Sequence, residues 1–399
     1  MDPEKAVPMS SPDLSGDDAK QVQEVFNSRY LSQGSQLQAF EQEMAEYLGA
    51  RFAVGVNSGT SALHLAVIAA GVRRGDLVIT TPYSFIASAN CILFQEAVPV
   101  FVDIDPRTMN MDPVQAGWVA RDLIEGGAGA EARLPRKGVP PSGPEGTLKA
   151  LLAVDIFGQP ADYRALREIT DRYQLPIIED SCEALGSEYR GKRAGTLGDV
   201  GVFGFYPNKQ LTTGEGGMLV TAREDWADLY RSLRNQGRSG DRGWLDHVRL
   251  GYNYRLDEMS AALGRSQLNR LDQTIGRRAQ VAAWYGEGLS AVEELQPVEA
   301  VPETTRMSWF VYVVRAPSRQ VRDDVQEGLK ARGIPSRRYF QPIHLQPFYR
   351  DRFGYQRGDF PEAEKAGDTS LALPFSTVMK QEEVDRVIRS LKEVLSSLS

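Results

Sequence analysis

Between residues 52 and 222, short apolar and β-branched runs alternate with stretches of helical periodicity. The runs are Phe52–Val56, Leu77–Thr80, Val98–Val102, Leu151–Val154, Pro176–Glu179, Val200–Phe205 and Gly217–Thr221. Runs this short and this continuously apolar read as strands covered on both faces, and strands separated by helices pair in parallel. The alternation predicts an α/β fold with a mostly parallel, seven-stranded sheet. In such sheets ligands bind beyond the carboxyl ends of the strands, so the residues that end each run carry the most information about function.

On either side the pattern changes. Asp17–Phe26 and Leu37–Leu48 read as helices, the second stopped by Gly49. Gly126–Gly146 is rich in Gly, Pro, Ala and Arg and reads as a surface loop inserted before the Leu151 run. Glu224–Asn235 and Asp257–Ser290 read as helices, the latter long enough to link two domains. From about residue 300, a strand at Trp309–Arg315, a helix at Arg322–Arg332 and a closing helix at Gln381–Leu395 predict a smaller α+β domain. The expected division is a large domain over 1–270 and a small C-terminal domain over 271–399.

Charge narrows the partners. Forty-six Lys and Arg against 53 Asp and Glu give a net charge of −7, which argues against nucleic acid while leaving room for a small phosphorylated ligand in a local pocket. No apolar run is long enough to span a bilayer, and Met1–Asp18 has no apolar signal core. Cys91 and Cys182 are the two cysteines, too few and too far apart for a zinc or iron–sulfur site. The expectation is a soluble, cytoplasmic protein with no metal and no membrane contact.

Three segments carry chemistry. Asn57–His64 follows a strand and opens a helix of small and apolar residues; its Gly, Ser and Thr amides suit a phosphate, although an ordinary Ser cap would look the same. Ile177–Gly186 ends a strand at Asp180, a carboxylate that needs a cation if it is buried and ionised, or that simply caps a loop. Val202–Met218 holds Lys209 in a loop with a glycine cluster; an amine held in a cleft becomes a nucleophile, whereas a lone lysine is usually a solvated charge. Together, a phosphate turn, a strand-end Asp and a Lys 29 residues later are the three holds that pyridoxal 5'-phosphate requires.

On these segments the chain resembles the DegT/DnrJ/EryC1/StrS sugar aminotransferases, within fold type I of the pyridoxal-phosphate enzymes. Further likeness lies in Pro12–Asp17, Phe40–Ala50, Pro99–Asp105, Asp155–Gln159, Gly251–Leu256 and Pro342–Pro347, in the family's order and spacing. The resemblance implies Lys209 as Schiff-base lysine and proton shuttle, and Asp180 as partner of the pyridine nitrogen. It implies Gly59 and Thr60 at the phosphate, Phe85 stacked on the ring, and Glu183 near the phenolic oxygen where many relatives carry Gln. It also implies a homodimer with shared sites, Asn253 reaching the neighbouring subunit's phosphate. Where many relatives place a phosphate-binding Ser, this chain has Gly204, so that donor must come from water, Ser61 or the partner chain.

The implied reaction moves an amino group, from glutamate, to a nucleotide-linked keto-sugar. The segments Glu183–Tyr189 and Asn208–Gly217 look more like the perosamine-synthase-type branch, which points to C4 of a 4-keto-6-deoxyhexose rather than to a 3-keto-sugar. A sugar dehydratase of the same family would replace the lysine with His or add cluster-binding cysteines, and a non-catalytic regulatory protein would lose Lys209; this chain does neither. His344, between two prolines, is a substrate candidate by analogy, with loop packing an equal alternative. Arg337, in the cluster Arg332–Arg338, could meet a diphosphate. His64, on an apolar helix, reads as a packed core histidine.

Overall fold

The computed structural model describes residues 7–138, 146–239, 246–298 and 300–398. Up to residue 222 its strands are Phe52–Val56 (β1), Leu77–Thr80 (β2), Val98–Phe101 (β3), Leu148–Val154 (β4), Ile177–Asp180 (β5), Glu188–Tyr189 (β6), Lys192–Arg193 (β7), Val200–Gly204 (β8) and Gly217–Thr221 (β9). Seven of them form one sheet in the order β1-β9-β8-β5-β4-β2-β3. β9 runs antiparallel to both its neighbours, and the pairs from β8 through β3 are parallel.

The continuous apolar runs have the cause expected of them. Val78, Leu152 and Ile178 point into one core cluster, while Ile79, Leu151 and Ile177 point into another on the opposite face. The helix Gly59–Ala69 is buried from Ser61 to Val67, which explains why its sequence shows no polar face.

The remaining strands are Gln296–Pro297 (β10), Thr304–Arg306 (β11), Tyr312–Arg315 (β12) and Ser370–Leu373 (β13). β10, β12 and β13 make a three-stranded sheet; β11 joins the β6–β7 hairpin in a second small sheet. A separate cluster holds the C-terminal part together, uniting Tyr285, Val314, Leu371 and Leu391.

Several expectations change in detail. The stretch 257–290 is two helices, Glu258–Asn269 and Leu271–Leu289, broken at Arg270. Leu271 and Ile275 pack with Phe40 and Phe205, whereas Val281, Tyr285 and Leu289 belong to the C-terminal cluster, so one helix serves both cores. Within 126–146, Gly127–Arg133 is a short helix rather than loop; its alternating Gly and Ala gave no apolar face to read, and none of it is buried. Residues 139–145 of that stretch lie outside the described residues. The strand expected from Trp309 begins at Tyr312, because Trp309 has φ of 53° and the Phe310 amide turns to the Phe157 carbonyl at 3.3 Å. Among the described residues, no helix is long and apolar enough to cross a membrane.

Candidate active site

At the carboxyl end of β1, Asn57 and Ser58 lead into the helix Gly59–Ala69. The Ser58 hydroxyl accepts the Ser61 amide at 3.0 Å, and the Ser61 hydroxyl donates to Asn57 Oδ1 at 2.7 Å. The first intrahelical bond runs from the Ala62 amide to the Ser58 carbonyl. The Gly59 and Thr60 amides precede it and stand at the positive end of the helix dipole, suited to an anion.

Neighbouring backbone comes close enough to exclude side chains. A Cβ on Gly217 would lie 2.5 Å from the Ser58 carbonyl carbon and oxygen, and one on Gly59 would lie 2.9 Å from Cys182 Sγ. Gly204 differs: a Cβ there would meet Cys182 Sγ at an ordinary 3.4 Å. The turn is built from backbone, and glycine keeps it accessible.

Asp180 ends β5 and is 5% exposed. Its Oδ2 accepts the Ser88 hydroxyl at 2.7 Å, and its Oδ1 accepts the Cys182 amide at 3.2 Å. Ser88 is held in turn by Ser84, 2.8 Å away. Both partners of the carboxylate are neutral, so a ligand's positive charge would complete it.

Lys209 lies in the loop after β8, its amide donating to the Tyr206 carbonyl at 3.0 Å. Its Nζ is 3.8 Å from Glu183 Oε1 and 3.8 Å from the centre of the Phe310 ring. Glu183 Oε2 accepts the Phe157 amide at 2.8 Å. Burial pushes the Glu183 carboxyl above the usual carboxylate range, with the Lys209 charge opposing that rise.

These groups share a cavity of about 460 Å³, whose lining includes Gly59, Thr60, Phe85, Asp180, Glu183 and Lys209. Phe85 is 59% exposed, an aromatic face offered to the cavity rather than to the core. Sequence reasoning missed Ser88, Phe310, Tyr339 and Phe340, which also line it. Ser88 had a signal, being the next hydroxyl one helical turn past Ser84; the three aromatics had none, since they come from distant parts of the chain.

Three expected residues are elsewhere. Asn253 is exposed on a strand-like bridge to Asn235, its carbonyl accepting from Asn57 Nδ2 at 3.4 Å. Arg337 is exposed beside the Tyr339–Phe340 segment, its backbone bonded to Ala372. His344, read as either a substrate residue or a loop-packing one, lies outside the cavity lining. It has no exposed surface, its Nε2 lies 3.0 Å from Glu364 Oε1 and its ring packs 4.8 Å from Phe360, a loop-packing role. His64 is a packed core histidine, bonded to Tyr254 and Gln95, and burial lowers it to about 4. Among the described residues no group of three or more His, Cys, Asp and Glu is placed to hold a metal.

The site fits pyridoxal 5'-phosphate. It offers free amides for the phosphate, a carboxylate lacking a cationic partner, a cavity-facing lysine and an exposed aromatic ring. With the mostly parallel seven-stranded sheet, this defines a fold type I pyridoxal-phosphate enzyme. The chain belongs to the DegT/DnrJ/EryC1/StrS aminotransferase family, which it matches over residues 12–392. It is 36% identical over 392 residues to the GDP-perosamine synthase of Caulobacter vibrioides, covering 98% of each chain. It is also 36% identical over 378 residues to the dTDP-3-amino-3,4,6-trideoxy-alpha-D-glucose transaminase of Streptomyces venezuelae, covering 94% of this chain and 91% of the relative. The crystal structure of S. venezuelae DesV superposes with a TM-score of 0.84 at 34% identity, covering 97% and 98% of the two chains. The protein is an aminotransferase, and its cofactor is pyridoxal phosphate.

Proposed function

We propose that this aminotransferase transfers an amino group from glutamate to C4 of a nucleotide-linked 4-keto-6-deoxyhexose. The observation that carries this reading is similarity to the Caulobacter GDP-perosamine synthase along 98% of both chains, joined to a complete lysine–aspartate–phosphate-turn cavity. When bound, the cofactor supplies an electron sink for the carbon that loses or gains a proton.

The chain's own residues supply the rest. Lys209 Nζ is the amine that would hold the cofactor covalently, and the same amine would carry the proton between the two reacting carbons. Asp180, oriented by Ser88 and the Cys182 amide, holds a proton on the ring nitrogen. The Gly59 and Thr60 amides would hold the phosphate, and Phe85, on the cavity lining, would pack against the ring. Glu183, whose carboxyl burial raises above the usual carboxylate range against the pull of the Lys209 charge, would stand near the phenolic oxygen. Asn253 serves the neighbouring subunit of a homodimer; its exposed side chain, outside its own cavity, supports that arrangement.

Product analysis tests the reading. With a GDP-linked 4-keto-6-deoxyhexose and glutamate, NMR of the product should show the amine at C4, and turnover confined to a 3-keto isomer would end the proposal. Mixing exchangeable Lys209→Ala and Asn253→Ala subunits, each inactive alone, should restore activity in heterodimers; heterodimers without recovery would refute the shared site.

A further inference from the structure

Beside the glycine-built turn, the cavity lining includes Tyr339 and Phe340. They sit on a segment tied at both ends by backbone. Arg337 and Ala372 exchange two bonds of 3.1 and 2.7 Å, and the Ile343 amide donates to the Pro82 carbonyl at 2.7 Å. Between these ties the side chain of Tyr83, from the loop after β2, reaches the peptide itself. Its hydroxyl donates to the Tyr339 carbonyl at 2.5 Å and accepts the Phe340 amide at 3.2 Å.

Tyr83 has no exposed surface, so its hydroxyl depends on protein partners such as these. Its ring meets Phe157 and Phe340 edge-on, each at 6.2 Å, and Phe340 stacks on Phe157 at 5.9 Å. Tyr339 lies nearly parallel to Phe310, the ring above Lys209 Nζ. One buried hydroxyl therefore ties down the peptide that carries two aromatic side chains lining the same cavity as Lys209.

We infer that Tyr83 is a positioning residue for the keto-sugar: it sets the Tyr339–Phe340 wall against which the C–H face of the sugar ring packs. This rests on the sugar-aminotransferase reading above. The cofactor reading rests on Gly59, Thr60 and Asp180, the last held by Ser88 and the Cys182 amide, a set of residues separate from the Tyr83–Tyr339–Phe340 contacts, so loss of the Tyr83 hydroxyl should separate the two ligands.

The test uses full-length holoenzyme, glutamate and a GDP-linked 4-keto-6-deoxyhexose. Tyr83→Phe keeps the ring and removes both bonds. The KM for the keto-sugar should rise about tenfold, while the cofactor dissociation constant and the KM for glutamate change less than about twofold. Phe340→Leu, which alters the wall and leaves Tyr83 in place, should move the same constant in the same direction and carries the test should Tyr83→Phe fold poorly. A uniform change in all three constants, or none in the sugar's, would overturn the inference as a mere structural effect. Wild-type enzyme that converts with glutamate but aminates no keto-sugar probe would instead overturn the substrate reading, and the inference with it.

Discussion

The two sides of the cavity are made of different material. The floor, from the Ser58–Thr60 turn across Gly204 and Gly216 to Asp180, is largely backbone and glycine at the ends of neighbouring strands. The wall, Phe310 with Tyr339 and Phe340, is side chain, brought in from the C-terminal third and held by long-range bonds from Tyr83 and Arg278. The Arg278 guanidinium, fully buried, donates to the carbonyls of both Trp309 and Phe310 at 2.7 Å, and burial lowers its proton affinity to about 10. A floor of amides gives a charged phosphate fixed donors with little entropy to lose. A wall of rings offers area without hydrogen-bond demands, which suits a ligand recognised by shape.

If the floor is where charge is handled, its substitutions should cost the most. Asp180→Asn should fold normally yet lose roughly 10²–10³ in kcat, because a neutral amide cannot hold the ring-nitrogen proton. Steady-state kinetics at neutral pH check this, and wild-type-like turnover would leave the carboxylate a structural role alone.

Behind the floor, His64 bonds Tyr254, whose carbonyl accepts the Asn57 amide at 3.0 Å. Its folded value, about 4, lies below the ordinary 6.5, so protons bind the unfolded chain first. Stability should be complete above pH 6.5 and fall as pH drops toward 4, by on the order of 3 kcal/mol from this group. Comparing denaturant midpoints of wild type and His64→Gln across that range should show the variant lacking this component of acid sensitivity.

A smaller effect tests the floor's geometry. Gly217→Ala puts a methyl 2.5 Å from the Ser58 carbonyl and must displace the turn. The expected costs are roughly 1–3 kcal/mol of stability and a weaker cofactor dissociation constant, with the keto-sugar KM little altered. Equilibrium dialysis with pyridoxal phosphate measures the second of these.

The smallest effect lies where floor meets wall. Burial raises the Glu183 carboxyl above its ordinary 4.5, so ionisation costs folding energy from pH 4.5 upward, in full once pH exceeds the folded value. In cofactor-free protein, Glu183→Gln should therefore be more stable than wild type at pH 8, the advantage shrinking as pH falls through 4.5. Urea midpoints at both ends of that range decide it.

The same contrast explains what the sequence could reveal. Asn57–Leu63 and Glu179–Lys209 are local: each proposed catalytic or phosphate-binding position sits at or shortly after a strand end whose apolar run announces it, and spacing along the chain survives as spacing across the sheet. The seven strands were legible for the same reason, to within a few residues at their ends. Tyr83, Arg278, Phe310 and Tyr339 had no such signature. Their partners lie 256 residues apart for Tyr83 and Tyr339, and 32 apart for Arg278 and Phe310, and no local periodicity encodes a bond to a carbonyl so distant. His344 was left between substrate contact and loop packing, because neither the Glu364 bond nor the Phe360 ring that packs against it is visible in the local sequence. The break at Arg270 was hidden because the apolar pattern continues through it, changing which core it serves.

The account stands on one covalent attachment. Borohydride reduction of the holoenzyme followed by peptide mapping should place the reduced cofactor on Lys209, in the peptide that contains Asn208 and Gln210. An adduct on any other lysine, or on none, would contradict it.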